Sequence, residues 1–138
     1  MDDEMRSVLD RLAAAIRSND PERIAELYTE DCVIADPAME VTGRDNLVTA
    51  ASYFHRAFEV LEIALEDPIV EGSRVAGRTR WRAIHKGEYL GIPATNREFE
   101  SWNLGVLEIR DGLIASDNNV WDVGEYLRLK ALAEEGDA

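Results

Sequence analysis

Hydrophobic positions in the first part of the chain recur every three or four residues, which is the spacing of amphipathic helices. Residues 4–18 predict a first helix, with apolar positions at Met5, Val8, Leu9, Leu12 and Ile16. Asp20-Pro21 predicts the start of a second helix, because Asp caps helices well and Pro suits the first helical position. This short helix is expected to bury Ile24, Leu27 and Tyr28.

A third helix is predicted after a brief strand over residues 32–36, which Pro37 ends. The stretch 42–45 resembles a capping box and would open this helix. Its apolar face carries Leu47, Ala51, Phe54 and Phe58. Phe54 and Phe58 are expected to roof the core.

From residue 59 onward apolar and polar positions alternate, which predicts β-strands. Asp67-Pro68 is expected to break or bulge the first strand, and residues 71–73 to form the turn after it. The next strand, 74–85, has one set of side chains on a predicted inner face: Val75, Gly77, Thr79, Trp81, Ala83 and His85. Its outer face carries Arg74, Arg78, Arg80 and Arg82.

The strand predicted over residues 97–109 divides in the same way. Its inner positions are Phe99, Ser101, Asn103, Gly105, Leu107 and Ile109. If the two strands pair antiparallel, glutamates on the outer face meet the arginines of the preceding strand and help to set the register. Trp102, Leu104 and Val106 share that outer face and form an apolar patch, which predicts a homodimer interface.

The turn after this strand decides where Asp117 points. A three-residue loop, Arg110-Asp111-Gly112, with Gly in the left-handed conformation is a favoured hairpin connection. Such a loop pairs Ile109 with Leu113, Gly105 with Asp117, Asn103 with Asn119 and Ser101 with Trp121. Asp117 then shares the inner face with Asn103, whereas a two-residue turn would point it outward.

The predicted elements run helix, helix, strand, helix, four long antiparallel strands and a last helix over residues 124–134. This order indicates an α+β domain with helices on the concave side of one curved sheet. A length of 138 residues suits a single domain, residues 1–138. Hydrophobic and charged contents of 46% and 31% are typical of soluble globular proteins.

A net charge of −13 argues against a nucleic-acid partner, because phosphate binding needs clustered Lys and Arg. Such acidity also occurs in proteins of a high-salt cytoplasm, and that alternative stays open. No apolar run approaches the roughly 20 residues that cross a membrane. The single Cys32 cannot form an internal disulfide and is expected in the core, so a cytoplasmic location is predicted.

Asp117 is the candidate for catalysis. A carboxylate on an inner face among Trp81, Phe54, Phe58 and Trp121 loses solvation, which raises its pKa toward the range of a general base. Asn103 and Asn119 could hydrogen-bond it or polarise a substrate carbonyl. The same three polar residues could equally form a satisfied cluster with a structural role.

His85 precedes a loop rich in Gly and is either a third catalytic group or a residue that orders the loop. Tyr28 could reach the pocket from the helical side, although core packing is an alternative role. Two His and one Cys make no recognisable metal-ligand set. No Gly-rich phosphate loop precedes a helix either, so neither a metal nor a cofactor is predicted.

The run from His85 to Arg97, HKGEYLGIPATNR, resembles the SnoaL-like polyketide cyclases of the nuclear-transport-factor-two-like superfamily. The hairpin LEIRDGLI over residues 107–114 and the polar last strand are similar to that family too. The resemblance covers nearly the whole chain. It differs at Asn103, where many relatives carry His, and at Ser116-Asp117-Asn118, where Glu-His-Trp is usual.

The resemblance implies a cone-shaped α+β barrel around an apolar cavity, dimeric through its outer sheet face. It also implies cofactor-free aldol ring closure of a small hydrophobic or polyketide-like molecule, with Asp117 as the base. Asn103, Asn119 and His85 would orient the substrate, with Trp81 and Trp121 beside it. A non-catalytic module that binds a hydrophobic ligand and a hydrolase of the same fold are the alternatives.

Overall fold

Six strands form one curved sheet in the computed structural model, which describes residues 2–136. Met1 and residues 137–138, which the predicted domain also includes, lie outside the described residues. The elements are α1 (Asp3–Arg17), α2 (Pro21–Ala25), β1 (Tyr28–Ala35), β2 (Glu40–Thr42), α3 (Arg44–Ala57), β3 (Phe58–Glu71), β4 (Arg74–His85), β5 (Glu98–Arg110), β6 (Leu113–Trp121) and α4 (Val123–Gly136).

The strand order is β2-β1-β6-β5-β4-β3, and the sheet does not close. Every pair is antiparallel except β1 with β6, which run parallel. The predicted α+β class with one curved, mostly antiparallel sheet is confirmed. The short strand β2 was not predicted, since three residues carry too little periodicity to be recognised.

Three local predictions about helix ends are corrected. Tyr28 begins β1 rather than ending α2, and Phe58 begins β3 rather than extending α3. The expected capping box does not form, because Gly43 occupies the N-cap position of α3 and has no side chain to accept a bond. The cap at Asp20 does form, since its Oδ1 accepts the Glu22 N–H at 3.1 Å.

The alternation predicted along β4 and β5 is confirmed. Val75, Ala83 and His85 are buried on β4, as are Phe99 and Ser101 on β5. Burying an apolar side chain of this size contributes about 1.5–3 kcal/mol, so the inner faces anchor the sheet. Asp67-Pro68 bulges β3 as expected, with a register shift between Glu66 and Ile69.

The arginines of β4 form most of their ion pairs with β3 rather than with β5. Glu66 pairs with Arg78 at 3.0 Å and with Arg80 at 2.8 Å. Arg82 bridges the two neighbours, through Glu62 on β3 at 3.2 Å and through Glu98 on β5. The predicted β4–β5 ladder is confirmed in part, since the register sets Arg74 opposite Glu108 and Arg82 opposite Glu100. Arg78 and Arg80 instead lie opposite Leu104 and Trp102.

The hairpin between β5 and β6 also differs from its prediction. The turn has two residues, Asp111-Gly112, with φ angles of 53° and 78°, and Arg110 pairs with Leu113. Positive φ at both central positions identifies the type I′ turn that Asp-Gly favours. The three-residue loop and the pairings drawn from it are wrong.

Asp117 nevertheless faces inward, because β6 contains an extra residue. Ile114 pairs with Ile109, but Ser116 pairs with Glu108, so Ala115 forms a β-bulge. The bulge moves every later residue of β6 by one position. Asp117 consequently lies opposite Leu107, on the inner face, and Asn119 lies opposite Gly105.

Candidate active site

Two hydrogen-bond donors hold the carboxylate of Asp117. The Tyr28 hydroxyl donates to Oδ2 at 3.0 Å, and the Asn119 side-chain N–H donates to Oδ1 at 3.1 Å. Tyr28 reaches Asp117 because β1 runs parallel to β6 and begins beside it. The carboxylate is thus held from the neighbouring strand and from its own strand.

The bond from Asn119 is the last of three that run across the sheet. The Trp81 indole N–H donates to Asn103 Oδ1 at 3.0 Å, and Asn103 Nδ2 donates to Asn119 Oδ1 at 3.1 Å. An indole N–H can only donate and a carboxylate can only accept, so the two ends of this chain define the orientation of both amides. We refer to Trp81, Asn103, Asn119 and Asp117 as the polar chain.

Burial raises the pKa of Asp117, and the charge of Asp36 raises it further, whereas the hydrogen bonds from Asn119 and Tyr28 oppose these effects. Burial and the neighbouring carboxylate raise the pKa of Tyr28 well above its usual value. Tyr28 therefore stays a neutral donor at neutral pH. The result is a carboxylate that binds a proton more readily than a solvated one does.

Two cavities lie against the polar chain. The first, of about 290 Å³, is lined mainly by aliphatic side chains of α1, β3 and β4, and Asp117 opens into it. The second, of about 220 Å³, lies among aromatic side chains near α4. Ala51, Phe54, Trp81, Asn103 and Asn119 line both cavities and form the wall between them.

The structure brings most of the predicted site residues to these cavities. Phe54, Trp81, Asn103 and Asn119 lie in the shared wall, Asp117 lines the first cavity, and Phe58 and Trp121 line the second. Tyr28 lines neither cavity and is buried behind Asp117, which it contacts. Tyr28 was predicted to contact the substrate, whereas in the structure it contacts Asp117 and neither cavity.

His85 lines neither cavity, in contrast to its predicted place beside the substrate. It is fully buried with its ring 5.1 Å from that of Phe58. The Thr95 N–H donates to His85 Nδ1 at 3.2 Å, and the backbone of His85 bonds Asn96 and Arg97. Its contacts match the alternative role, which is to order the loop before β5.

The residue pattern did not predict that Asp122, Glu125 and Tyr126 lie beside a cavity. All three line the second cavity, because α4 packs over its mouth. Asp122 directly precedes this helix, and its Oδ1 accepts the Glu125 N–H at 3.4 Å. The position of α4 depends on packing between distant elements, which local periodicity does not describe.

No group of three His, Cys, Asp or Glu side chains within residues 2–136 is arranged to hold a metal ion. Across the same residues, no helix is both long and apolar enough to span a bilayer. Cys32 is buried in the core, as expected, and burial raises its pKa.

The model of the SnoaL-like polyketide cyclase family matches residues 6–129. The chain belongs to this family. The predicted resemblance is thereby confirmed, and with it the fold of the superfamily. A search of curated proteins found no match for this SnoaL-like chain.

Solved structures agree on the fold of this SnoaL-like domain. TsrD from Streptomyces laurentii is 23% identical, with 96% of this chain and 98% of that one covered and a TM-score of 0.79. IdmH from Streptomyces antibioticus, a proposed polyketide cyclase, is 26% identical over 90% and 96% of the two chains, with a TM-score of 0.74. An epoxide hydrolase of Mycobacterium tuberculosis is 16% identical over 93% and 90%, with a TM-score of 0.71.

Proposed function

We propose that this SnoaL-like protein is a cofactor-free enzyme that closes a ring in a small hydrophobic or polyketide-like molecule. Asp117 acts as the general base. The supporting observation is a carboxylate that opens into an apolar cavity, with a raised pKa and neutral hydrogen-bond partners. Proton transfer by a positioned side chain is fastest when its pKa approaches the working pH.

The proposed reaction moves one proton and forms one carbon–carbon bond. Ionised Asp117 removes a proton from a carbon next to a carbonyl group, and the electron pair passes to the carbonyl oxygen as an enolate. The enolate carbon then attacks a second carbonyl of the same molecule. Asp117 returns its proton to the new alkoxide, so the product is an isomer of the substrate.

The two amides of the polar chain are suited to hold the enolate oxygen. A side-chain amide has two N–H donors, and the structure assigns one on Asn103 and one on Asn119 to the chain itself. The second donor of each is free for a ligand in the cavities that both residues line. Neutral donors aimed at developing charge in a dry site stabilise it strongly.

The test is Asp117→Asn, assayed on a substrate identified by screening polycarbonyl compounds. The substitution preserves shape and can still pair with Tyr28 and Asn119, so we expect the fold to remain. Turnover should fall by about 10²–10⁴, the usual contribution of a general base. Unchanged turnover with an unchanged unfolding curve would reject the proposed role.

A ligand-binding module is the second candidate, favoured because both oxygens of Asp117 already accept a hydrogen bond. In that case Asp117→Asn changes affinity for a ligand, and no chemical conversion of that ligand is found. Transfer of labelled oxygen from water into a product would instead identify a hydrolase.

We also propose that the protein works in the cytoplasm as a homodimer joined through its outer sheet face. The structure leaves Leu104, Val106 and Val120 exposed by 47%, 40% and 51% beside the half-buried Trp102. A contiguous apolar patch of this kind is typical of an interface. Light scattering at micromolar concentration should show a dimer that Leu104→Arg converts to a monomer, and a wild-type monomer would contradict the proposal.

A further inference from the structure

The second cavity differs chemically from the first. Eight aromatic side chains line it, together with the carboxylates of Asp36, Asp122 and Glu125. None of the residues described around it is Lys, Arg or His. The first cavity has a single carboxylate, Asp117, among mostly aliphatic side chains.

Neutral backbone groups bind two of the three carboxylates. Asp36 accepts the backbone N–H groups of Ala38 and Met39 at 2.7 and 3.0 Å, and Asp122 accepts that of Glu125. These donors are neutral, so they orient the carboxylates and do not cancel their charge.

Glu125 alone has a cationic partner among the described residues around this cavity. Its side chain is only 11% exposed and pairs with Arg128, whose side chain is 61% exposed. Arg128 offsets part of the charge of Glu125, whereas Asp36 and Asp122 have only neutral donors among the described residues. Burial raises the pKa of Tyr89 in the cavity wall, and the charge of Asp36 raises it further.

The aromatic lining adds to this preference. The faces of aromatic rings carry partial negative charge and attract cations, most strongly where water is excluded. Trp121 also lines the cavity, and its buried indole N–H has no acceptor among the described residues. The cavity wall therefore contains a hydrogen-bond donor without a protein acceptor among the described residues. It also contains carboxylates, and no described residue of the lining carries a positive charge.

We propose that the second cavity binds the positively charged, amine-bearing end of an elongated ligand. The ammonium lies against the aromatic rings and the three carboxylates, and an acceptor atom next to it takes the Trp121 N–H. The neutral remainder of the ligand lies against Asn103 and Asn119, which line both cavities, and points toward Asp117. This inference rests on the proposed function only for the last of these contacts.

Two probes of equal shape test the charge preference in the intact protein. Benzyltrimethylammonium carries the positive charge, and neopentylbenzene is its neutral carbon isostere. Titration should show the cation binding about tenfold more tightly, the size expected from one desolvated cation–π contact. It should also shift the indole N–H resonance of Trp121. Equal or tighter binding of neopentylbenzene, or a cation that leaves this resonance unchanged, would overturn the proposal.

Variants of the carboxylates locate the effect. Asp122→Asn and Glu125→Gln keep an acceptor oxygen for the existing hydrogen bonds, and each should weaken the cation at least about threefold without weakening neopentylbenzene. Glu59→Gln is the control, since Glu59 is exposed on β3 and changes the net charge equally. An equal loss in Glu59→Gln would mean that net charge, and not the cavity, attracts the probe.

The cation-binding experiment and the Asp117→Asn experiment can fail independently of each other. Asp117 does not line the second cavity, so Asp117→Asn should keep the cation preference while losing turnover. Active Asp117→Asn with the preference intact would reject only the base. Inactive Asp117→Asn with no preference in the wild type would reject only the cation site.

Discussion

The two faces of the sheet over β4, β5 and β6 both carry polar side chains, but they use them differently. The outer face has arginines paired with glutamates, in which the Arg78 and Arg80 side chains are 43% and 44% exposed. The inner face has one carboxylate, reached through neutral donors from Trp81, Asn103 and Asn119.

The difference shows how burial changes the value of a charge. Exposed ion pairs contribute little because water and salt screen them. Inside the sheet the same kind of carboxylate loses solvation, its pKa rises, and each hydrogen bond to it acts on that pKa. On the outer face the ion pairs help to define the strand register. On the inner face burial and hydrogen bonds determine how readily Asp117 binds a proton.

The largest effect on stability is expected at Gly105 on the inner face, where an added side chain would meet the neighbouring strand β6. A Cβ on Gly105 would lie 2.9 Å from Asn119 Cβ and 3.0 Å from the Asn118 carbonyl oxygen. Gly105→Ala should lower the free energy of unfolding by about 1–3 kcal/mol, the usual cost of overpacking. Urea denaturation measures this loss.

Gly77→Ala is the matched control, because Gly77 pairs with Gly105 in the register. Its added Cβ would lie 2.8 Å from Leu65 Cδ1, the end of a flexible side chain that can rotate away. The cost should be less than half of that at Gly105. Equal costs at the two positions would mean that backbone contact with β6 is not what makes Gly105 necessary.

The next effect concerns the protonation of Asp117. Tyr28→Phe removes a hydrogen bond that lowers the pKa of Asp117, so that pKa should rise. Asp36→Asn removes a charge that raises it, so the pKa should fall, and by less, since this charge is the smallest of the contributions. Carbon NMR titration of the Asp117 carboxyl group measures both, and shifts of the same sign would contradict the assignment of causes.

The raised pKa also determines how stability depends on pH. Folded Asp117 keeps its proton to a higher pH than the unfolded chain, whose carboxyl titrates near 3.8. Stability from this residue is therefore full below 3.8 and declines as the pH rises through the folded pKa. Asp117→Asn should flatten that decline, which pH-dependent urea denaturation would reveal.

The smallest effect is expected on the outer face. Arg82→Gln breaks the pairs with Glu62 and Glu98 but leaves all three side chains in contact with water. The midpoint of unfolding should move less than in Gly77→Ala, and the difference should shrink further in high salt. A loss of unfolding free energy as large as that in Gly105→Ala would contradict the proposed difference between the two faces.

The faces of the long strands could be predicted because the arginines of β4 and the glutamates of β5 all fall on one set of alternate positions in their strands. The direction of Asp117 was also predicted, although the register behind it was wrong. Asp-Gly favours a two-residue turn, and Ile114-Ala115-Ser116 shows no Gly or Pro that would mark a bulge. The shorter turn and the bulge each shift the register by one residue in the same direction. The total shift of two leaves Asp117 on the predicted face, but opposite Leu107 instead of Gly105.

The second cavity could not be predicted in the same way. Its carboxylates come from the end of β1, the end of β6 and the first turn of α4, which no single period connects. The polar chain is an intermediate case. The inward direction of its four members was expected, whereas the order of its hydrogen bonds depends on which amide reaches which carboxylate.

The bulge at Ala115 determines which residues of β6 face the cavities. A residue deleted between Ile114 and Asp117 would exchange the two faces of the strand downstream and place Asn118 where Asp117 now lies. An inserted residue would also exchange the faces, and the residue before Asp117 would take that place. Insertions in the Asp111-Gly112 turn would leave the downstream frame intact wherever the bulge can still form. The length of the hairpin turn can therefore change without changing which residues of β6 face inward. A change of length beside Ala115 instead replaces Asp117, the proposed base, in a single step.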